Sequence, residues 1–167
     1  ILLGGIAVFT SIMLYQLRKQ SVAPNVPESK PKAEVVQPSC NVDLMLTIDR
    51  SGSMRQNYAA AKSAAAALVN KLDSLDTQNI VRVGLVSFAG TASLDIGLTN
   101  NLSSVSTAIS SMPATSSGTC IECGLTTTNS ELIAKKVSGT KQIVVLLSDG
   151  KVNGGGDPIP VADSGRG

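Results

Sequence analysis

From residue 42 onward the chain switches repeatedly between two hydrophobic periods. VDLMLTI (42–48) is short and almost continuously apolar, the pattern of a parallel strand buried on both faces. In MRQNYAAAKSAAAALVNKLDSL (54–75), Met54, Tyr58, Ala61, Ala65, Leu68 and Leu72 recur at helical spacing, with Arg55, Lys62 and Lys71 off that stripe. This predicts an alanine-rich amphipathic helix. IVRVGLVSFAG (80–90) is rich in β-branched residues and predicts a second strand. TASLDIGL (91–98) alternates, which predicts a short third strand, antiparallel to the second across a tight turn at Ala89-Gly90. NLSSVSTAISSM (101–112) sets Leu102, Val105 and Ile109 on one helical face, and PATSSGT is a loop. CIECGLTTTNSELIAKK (120–136) is a weaker helix, with Ile121, Leu125, Leu132 and Ile133 as candidate buried positions. KQIVVLL (141–147) is the most apolar strand and runs into Ser-Asp-Gly. Strands alternating with helices predict an α/β fold, a doubly wound and mainly parallel sheet with helices on both faces.

The first 39 residues have a different texture. ILLGGIAVFTSIMLYQL (1–17) carries no charge and almost no polar face. As a helix it spans roughly 25 Å, slightly short of a bilayer core of about 30 Å. We read residues 1–19 as a membrane anchor; a cleaved signal peptide and a buried core helix are the competing readings. Ser21-Val22-Ala23 offers a small-x-small cleavage site, but Pro24 would follow the cut. Residues 20–39 contain four prolines and mixed charge, the composition of an extended, semi-rigid stalk. Residues 40–167 then form the folded domain. Neither end reads as a natural limit: the chain does not start with Met, and it stops in VADSGRG soon after the last strand.

Composition narrows the chemistry. Of the 167 residues 43% are apolar, enough for a core, and only 2% are aromatic, so that core must be aliphatic. Net charge is +2 with scattered basic residues, which gives no footprint for nucleic acid. The absence of histidine removes Ser-His-Asp and Cys-His catalysis and most zinc sites within this chain.

Ligands of open α/β sheets bind beyond the carboxyl ends of the strands. Asp49, Ser51 and Ser53 follow the first strand, Asp149 follows the strand at 141–147, and Thr119 lies in the loop entering the third helix. All five side chains offer oxygen, and none offers nitrogen or sulfur. Hard divalent cations such as Mg²⁺ take oxygen ligands in octahedral geometry and usually keep some water. Gly52 allows the tight turn that faces both serine hydroxyls to one point. The bland alternative is a capped turn, with Ser53 as N-cap and Asp49 as a polar strand end.

Asp49-x-Ser51-x-Ser53, Thr119 in SGT and Asp149 in LLSDG, with VGLVSF and IVVLLSDG in order between and around them, resemble the von Willebrand factor type A domain over residues 42–153. The set is similar to that family's metal-ion-dependent adhesion site. The resemblance implies Mg²⁺ (or Mn²⁺ or Ca²⁺) at the top of the sheet. It implies Ser51, Ser53 and Thr119 as coordinating hydroxyls, and Asp49 and Asp149 as carboxylates binding directly or through water. Neutral hydroxyls would leave the metal net positive, open to an Asp or Glu carboxylate of a partner, and no residue is placed as a general base for metal-bound water. The family's domain usually continues past this point with two more strand-helix units, so the sheet is expected to lack one edge unless another segment completes it.

Cys120 and Cys123 follow Thr119 directly. A local disulfide bracing the metal loop is the favoured reading; a redox pair, a metal site and free thiols are the others. Cys40 precedes the first strand, at the opposite end of the sheet, and extended chain of roughly 30 Å separates it from Asp49. Its disulfide partner is therefore expected elsewhere, beyond Gly167 or in another chain. Disulfides place the domain outside the cytoplasm, whereas Arg18 and Lys19 after the apolar run favour a cytoplasmic side; the cysteines weigh more. Glu122 either adds charge near the metal or favours the helix dipole. Arg50 points to solvent or across the binding face.

The leading functional reading is a membrane-anchored, extracytoplasmic adhesion or protein-binding module and not an enzyme. The alternative is a scaffolding subunit of a membrane or filamentous complex, or the partner of an ATPase. No P-loop motif occurs, and DRSGSM supplies no glycine-rich dinucleotide turn.

Overall fold

The computed structural model describes residues 41–165 apart from Asn79 and Ser116. The apolar segment, the stalk and Cys40 lie outside the described residues. Within them, no helix is long and apolar enough to cross a membrane.

The strands are β1 (Val42–Asp49), β2 (Val81–Phe88), β3 (Ala92–Thr99) and β4 (Lys141–Leu147). The helices are α1 (Tyr58–Leu75), α2 (Leu102–Ser111), α3 (Ile121–Ala134) and α4 (Pro158–Ser164). The sheet order is β3-β2-β1-β4. β1 pairs in parallel with both β2 and β4, and β3 runs antiparallel to β2. The described sheet is thus mixed, with one antiparallel edge.

β1 lies at the centre, and residues Asp43 to Asp49 are all buried. Its side chains alternate between two cores. Leu44, Leu46 and Ile48 pack with Met54, Tyr58, Ala65, Val69, Val105 and Ile109 beneath α1 and α2. On the other face Met45 meets Val86 and Leu132, and Thr47 Oγ1 bonds Thr128 Oγ1 of α3 at 2.7 Å. At the amino end of β1, Asp43 is 1% exposed and Arg82 pairs with it bidentately, Nε to Oδ1 and Nη2 to Oδ2, both 2.8 Å. This pairing raises the Arg82 pKa and satisfies a carboxylate that could not otherwise be buried.

Two local departures from the sequence reading have physical causes. The first helix begins at Tyr58, four residues later than its stripe, because Gly52–Gln56 form a separate 3-10 turn. Val69, outside the stripe, is fully buried, while Leu68 and Leu72 pack at the margin. The helix α4 had no apolar period to betray it. It is set instead by local chemistry: the Asp157 carboxylate accepts from the Ile159 N–H, and a proline starts the first turn.

β4, the most apolar strand by sequence, is an edge strand among the described residues. Ile143, Val144 and Leu146 are 45%, 38% and 39% exposed. A strand apolar on both faces suits a covered position in a parallel sheet, and β4 is covered only in part.

Candidate functional site

Because β1, β2 and β4 are parallel, their carboxyl ends share one edge of the sheet, where Asp49, Phe88 and Ser148-Asp149 emerge together. Backbone bonds draw the loop before α3 to the same edge. Gly52 N–H donates to Ser117 O at 3.2 Å, Thr115 N–H to Arg50 O at 3.0 Å, and Cys120 N–H to Ala89 O at 2.6 Å.

Asp49 is fully buried and both its oxygens are engaged. Oδ1 accepts from the Ser51 N–H at 2.9 Å, and Oδ2 from the Ser148 hydroxyl at 2.7 Å. Ser51 Oγ and Ser53 Oγ lie 3.1 Å apart, and Ser53 Oγ donates to Asp149 Oδ1 at 3.3 Å. Three of the five predicted residues, Ser51, Ser53 and Asp149, are therefore joined oxygen to oxygen, and Asp49 is tied to them through the Ser51 N–H. The serines start the 3-10 turn, with Ser51 as its N-cap residue, rather than the long helix. The Ser51 hydroxyl caps no backbone N–H there and turns to Ser53 Oγ.

Thr119 is the fifth. It is fully buried, and among the described residues its hydroxyl has no hydrogen-bond partner. Native interiors rarely leave such a group unpaired, and each exception calls for an explanation, a bound ion or water among them. A donor set of three hydroxyls and two carboxylates, one hydroxyl orphaned, fits a hard cation. No group of three or more His, Cys, Asp or Glu side chains that could hold a metal occurs among the described residues. The candidate set depends instead on hydroxyl oxygens.

The surroundings are basic and braced. Lys151 Nζ lies 3.8 Å from Asp149 Oδ2, a loose pair on a lysine that is 74% exposed. Arg50 is half-buried, with an unpaired buried Nε. Burial pushes the Tyr58 phenol up; the Arg50 charge offsets part of that, and Asp95 adds to it. Cys120 and Cys123 are joined by a disulfide, with Cα atoms 5.3 Å apart, at the start of α3. Glu122 accepts a hydrogen bond from the Gly156 N–H and so fastens the loop after β4 to that helix start.

Sequence reasoning missed two residues here. Ser148 orients Asp49, and Asn153 binds the backbone of Thr119 through its side chain (Thr119 N–H to Oδ1, 2.6 Å). The available signal for Asn153 was Asn-Gly-Gly-Gly at 153–156, a segment built for close backbone approach.

The sequence model of the von Willebrand factor type A domain matches residues 44–151. The chain belongs to that family. No curated protein matches it by sequence. Among solved structures, this type A domain is similar to the type V pili tip protein Mfa5 of Porphyromonas gingivalis, at 21% identity and a TM-score of 0.62, over 68% of this chain and 20% of that one. It is similar to the pilus adhesin SpaC of Lactobacillus rhamnosus GG, at 25% identity and a TM-score of 0.59, over 70% of this chain and 15% of the other. It is similar also to an aerotolerance-related membrane protein of Bacteroides fragilis, at 24% identity and a TM-score of 0.62, over 75% and 62% of the two chains. The chain thus spans less than two thirds of each of these relatives.

Proposed function

We propose that this type A domain is a cation-dependent protein-binding module, of adhesion type, presented at a cell surface. Ser51, Ser53 and Thr119 would hold Mg²⁺ (or Mn²⁺ or Ca²⁺) by hydroxyl, with Asp49 and Asp149 as the carboxylates. The observation that carries this reading is the buried Thr119 hydroxyl, unpartnered among the described residues, on a loop whose Ser117 carbonyl holds the Gly52 N–H between the two serines. Asp49, with both oxygens occupied by Ser51 and Ser148, is best suited to act through water or as an orienting anion. The bound cation would supply positive charge without proton bookkeeping.

Charge counting favours an acidic partner. Two carboxylates balance a divalent ion, and Lys151 beside Asp149 then leaves the rim positive. The likeness to pilus proteins supports an adhesive or assembly role outside the cytoplasm, and residues 1–19 would anchor the domain through the stalk. The reading involves no catalysis.

An open coordination position can be measured directly. Mn²⁺ held by the domain should enhance water-proton relaxation, and a short peptide bearing one glutamate should lower that enhancement as its carboxylate displaces bound water. The same peptide with glutamine should have no effect. Equal behaviour of the two peptides would count against a carboxylate-seeking site.

A further inference from the structure

We infer that Asn153 is a positioning residue for the cation site: it fixes the Thr119 hydroxyl and couples the loop carrying Thr119 to the loop carrying Asp149. The inference rests on the cation reading above.

Both peptide groups of Thr119 are pinned. Its N–H donates to Asn153 Oδ1 at 2.6 Å, and its C=O accepts from the Asn153 N–H at 3.3 Å. The next amide, of Cys120, is held by Ala89 O at the end of β2. With the backbone fixed on both sides, the direction of the Thr119 Cα–Cβ bond is set and its β-branched side chain is left few rotamers, so these bonds place the hydroxyl within a narrow region. Asn153 lies four residues after Asp149, whose own Oδ1 accepts from the Lys151 N–H at 3.2 Å. One short segment therefore carries a candidate ligand and the clamp on another.

The glycines around the clamp are explained by it. A Cβ at Gly118 would lie 2.8 Å from Asn153 Oδ1, so a side chain there would displace the carboxamide. Past the clamp, Gly155 has φ +79° and passes against the Cys120 sulfur, and Gly156 is bonded to Glu122. The segment 153–156 is thus laid on the start of α3, where the Cys120–Cys123 disulfide stiffens its seat.

Groups that orient a metal ligand typically contribute 10–100-fold to affinity. Asn153→Ala should therefore weaken Mg²⁺ binding by about ten-fold or more in calorimetry. In the metal-free protein it should speed amide exchange at Thr119, a change that loss of general stability would spread over the whole sheet. Asn153→Asp keeps the acceptor oxygen and should restore both exchange protection and affinity. Gly118→Ala offers a second route, since its Cβ pushes the intact Asn153 side chain away, and it should weaken Mg²⁺ binding in the same direction. Wild-type affinity in both Asn153→Ala and Gly118→Ala overturns the positioning role and leaves the cation reading standing. Wild-type protein that binds no Mg²⁺ overturns the cation reading, and this inference with it.

Discussion

Thr119→Val is expected to stabilise the metal-free domain and to abolish its response to Mg²⁺. The two side chains have nearly the same shape, and the site is fully buried. The Thr119 hydroxyl has no partner among the described residues. Burying an unpaired hydroxyl costs about 1–3 kcal/mol, and replacing it with a methyl recovers part of that. For a domain of this size a gain of about 1 kcal/mol raises the melting temperature by roughly 3–6 °C. The same change removes one of the three hydroxyls proposed as ligands. Melts in chelator and in Mg²⁺ should therefore move in opposite senses: the variant melts higher than wild type without metal and gains nothing when metal is added. A threonine kept for structure alone would show the reverse, with Val neutral or destabilising and any metal response intact.

Phe88→Ala should be among the most damaging single substitutions in the described domain. Phe88 is fully buried at the end of β2, packed with Ile121 and Leu125 of α3. A Cβ on Gly124 would lie 2.7 Å from Phe88 Cδ1, which shows how closely α3 rests on the ring. Truncating such a ring costs about 3–5 kcal/mol, much of the 5–15 kcal/mol that holds a typical domain together. The effect should reach the site, because the Phe88 carbonyl holds the Arg50 N–H at 2.8 Å and α3 carries the Cys120 end of the Thr119 loop. Denaturant unfolding should give the loss in stability, and a loss under 1 kcal/mol would contradict this account of the packing. Gly124→Ala, which crowds the same ring from the helix side, should cost less, about 1–3 kcal/mol.

These two positions mark what the sequence could and could not reveal. β1 was legible because a continuous apolar run ending in a carboxylate has one simple structural solution. β3 was legible from its alternation. The Asp49-x-Ser51-x-Ser53 spacing announced itself, since alternate oxygens at a strand end exceed what a turn requires. Thr119 and Asp149 were legible only beside that motif, through family resemblance; neither loop carries a periodic signal.

What stayed hidden depends on tertiary approach. Ser148 acts on Asp49 through one hydrogen bond and Asn153 on Thr119 through two, across long stretches of chain, and no spacing encodes those. The 3-10 turn before α1 was hidden because Met54 fits the helical stripe and is buried either way. Glu122 lies in the first turn of α3, where the helix-dipole reading put it, and it also accepts from the Gly156 N–H, a contact no spacing encodes. Residues 1–40, with the anchor, the stalk and Cys40, lie outside the described residues, so membrane anchoring remains part of the proposal.

The arrangement also gives the local chemistry a division of labour. Asp49 is held rigid by Ser51 and Ser148, deep at the end of the central strand. Asp149 is nearer the surface, with Ser53 on one oxygen and Lys151 beside the other. Bound metal would take Asp149 away from Lys151, and the freed ammonium would then face an incoming acidic group.

The central claim is that these five residues form a cation site, and calorimetric titration of Mg²⁺ into the metal-free domain tests it most directly. Saturable one-site binding by the wild type, lost in Asp149→Ala, is the predicted result. Heats indistinguishable from buffer, or equal binding by the two proteins, would contradict it.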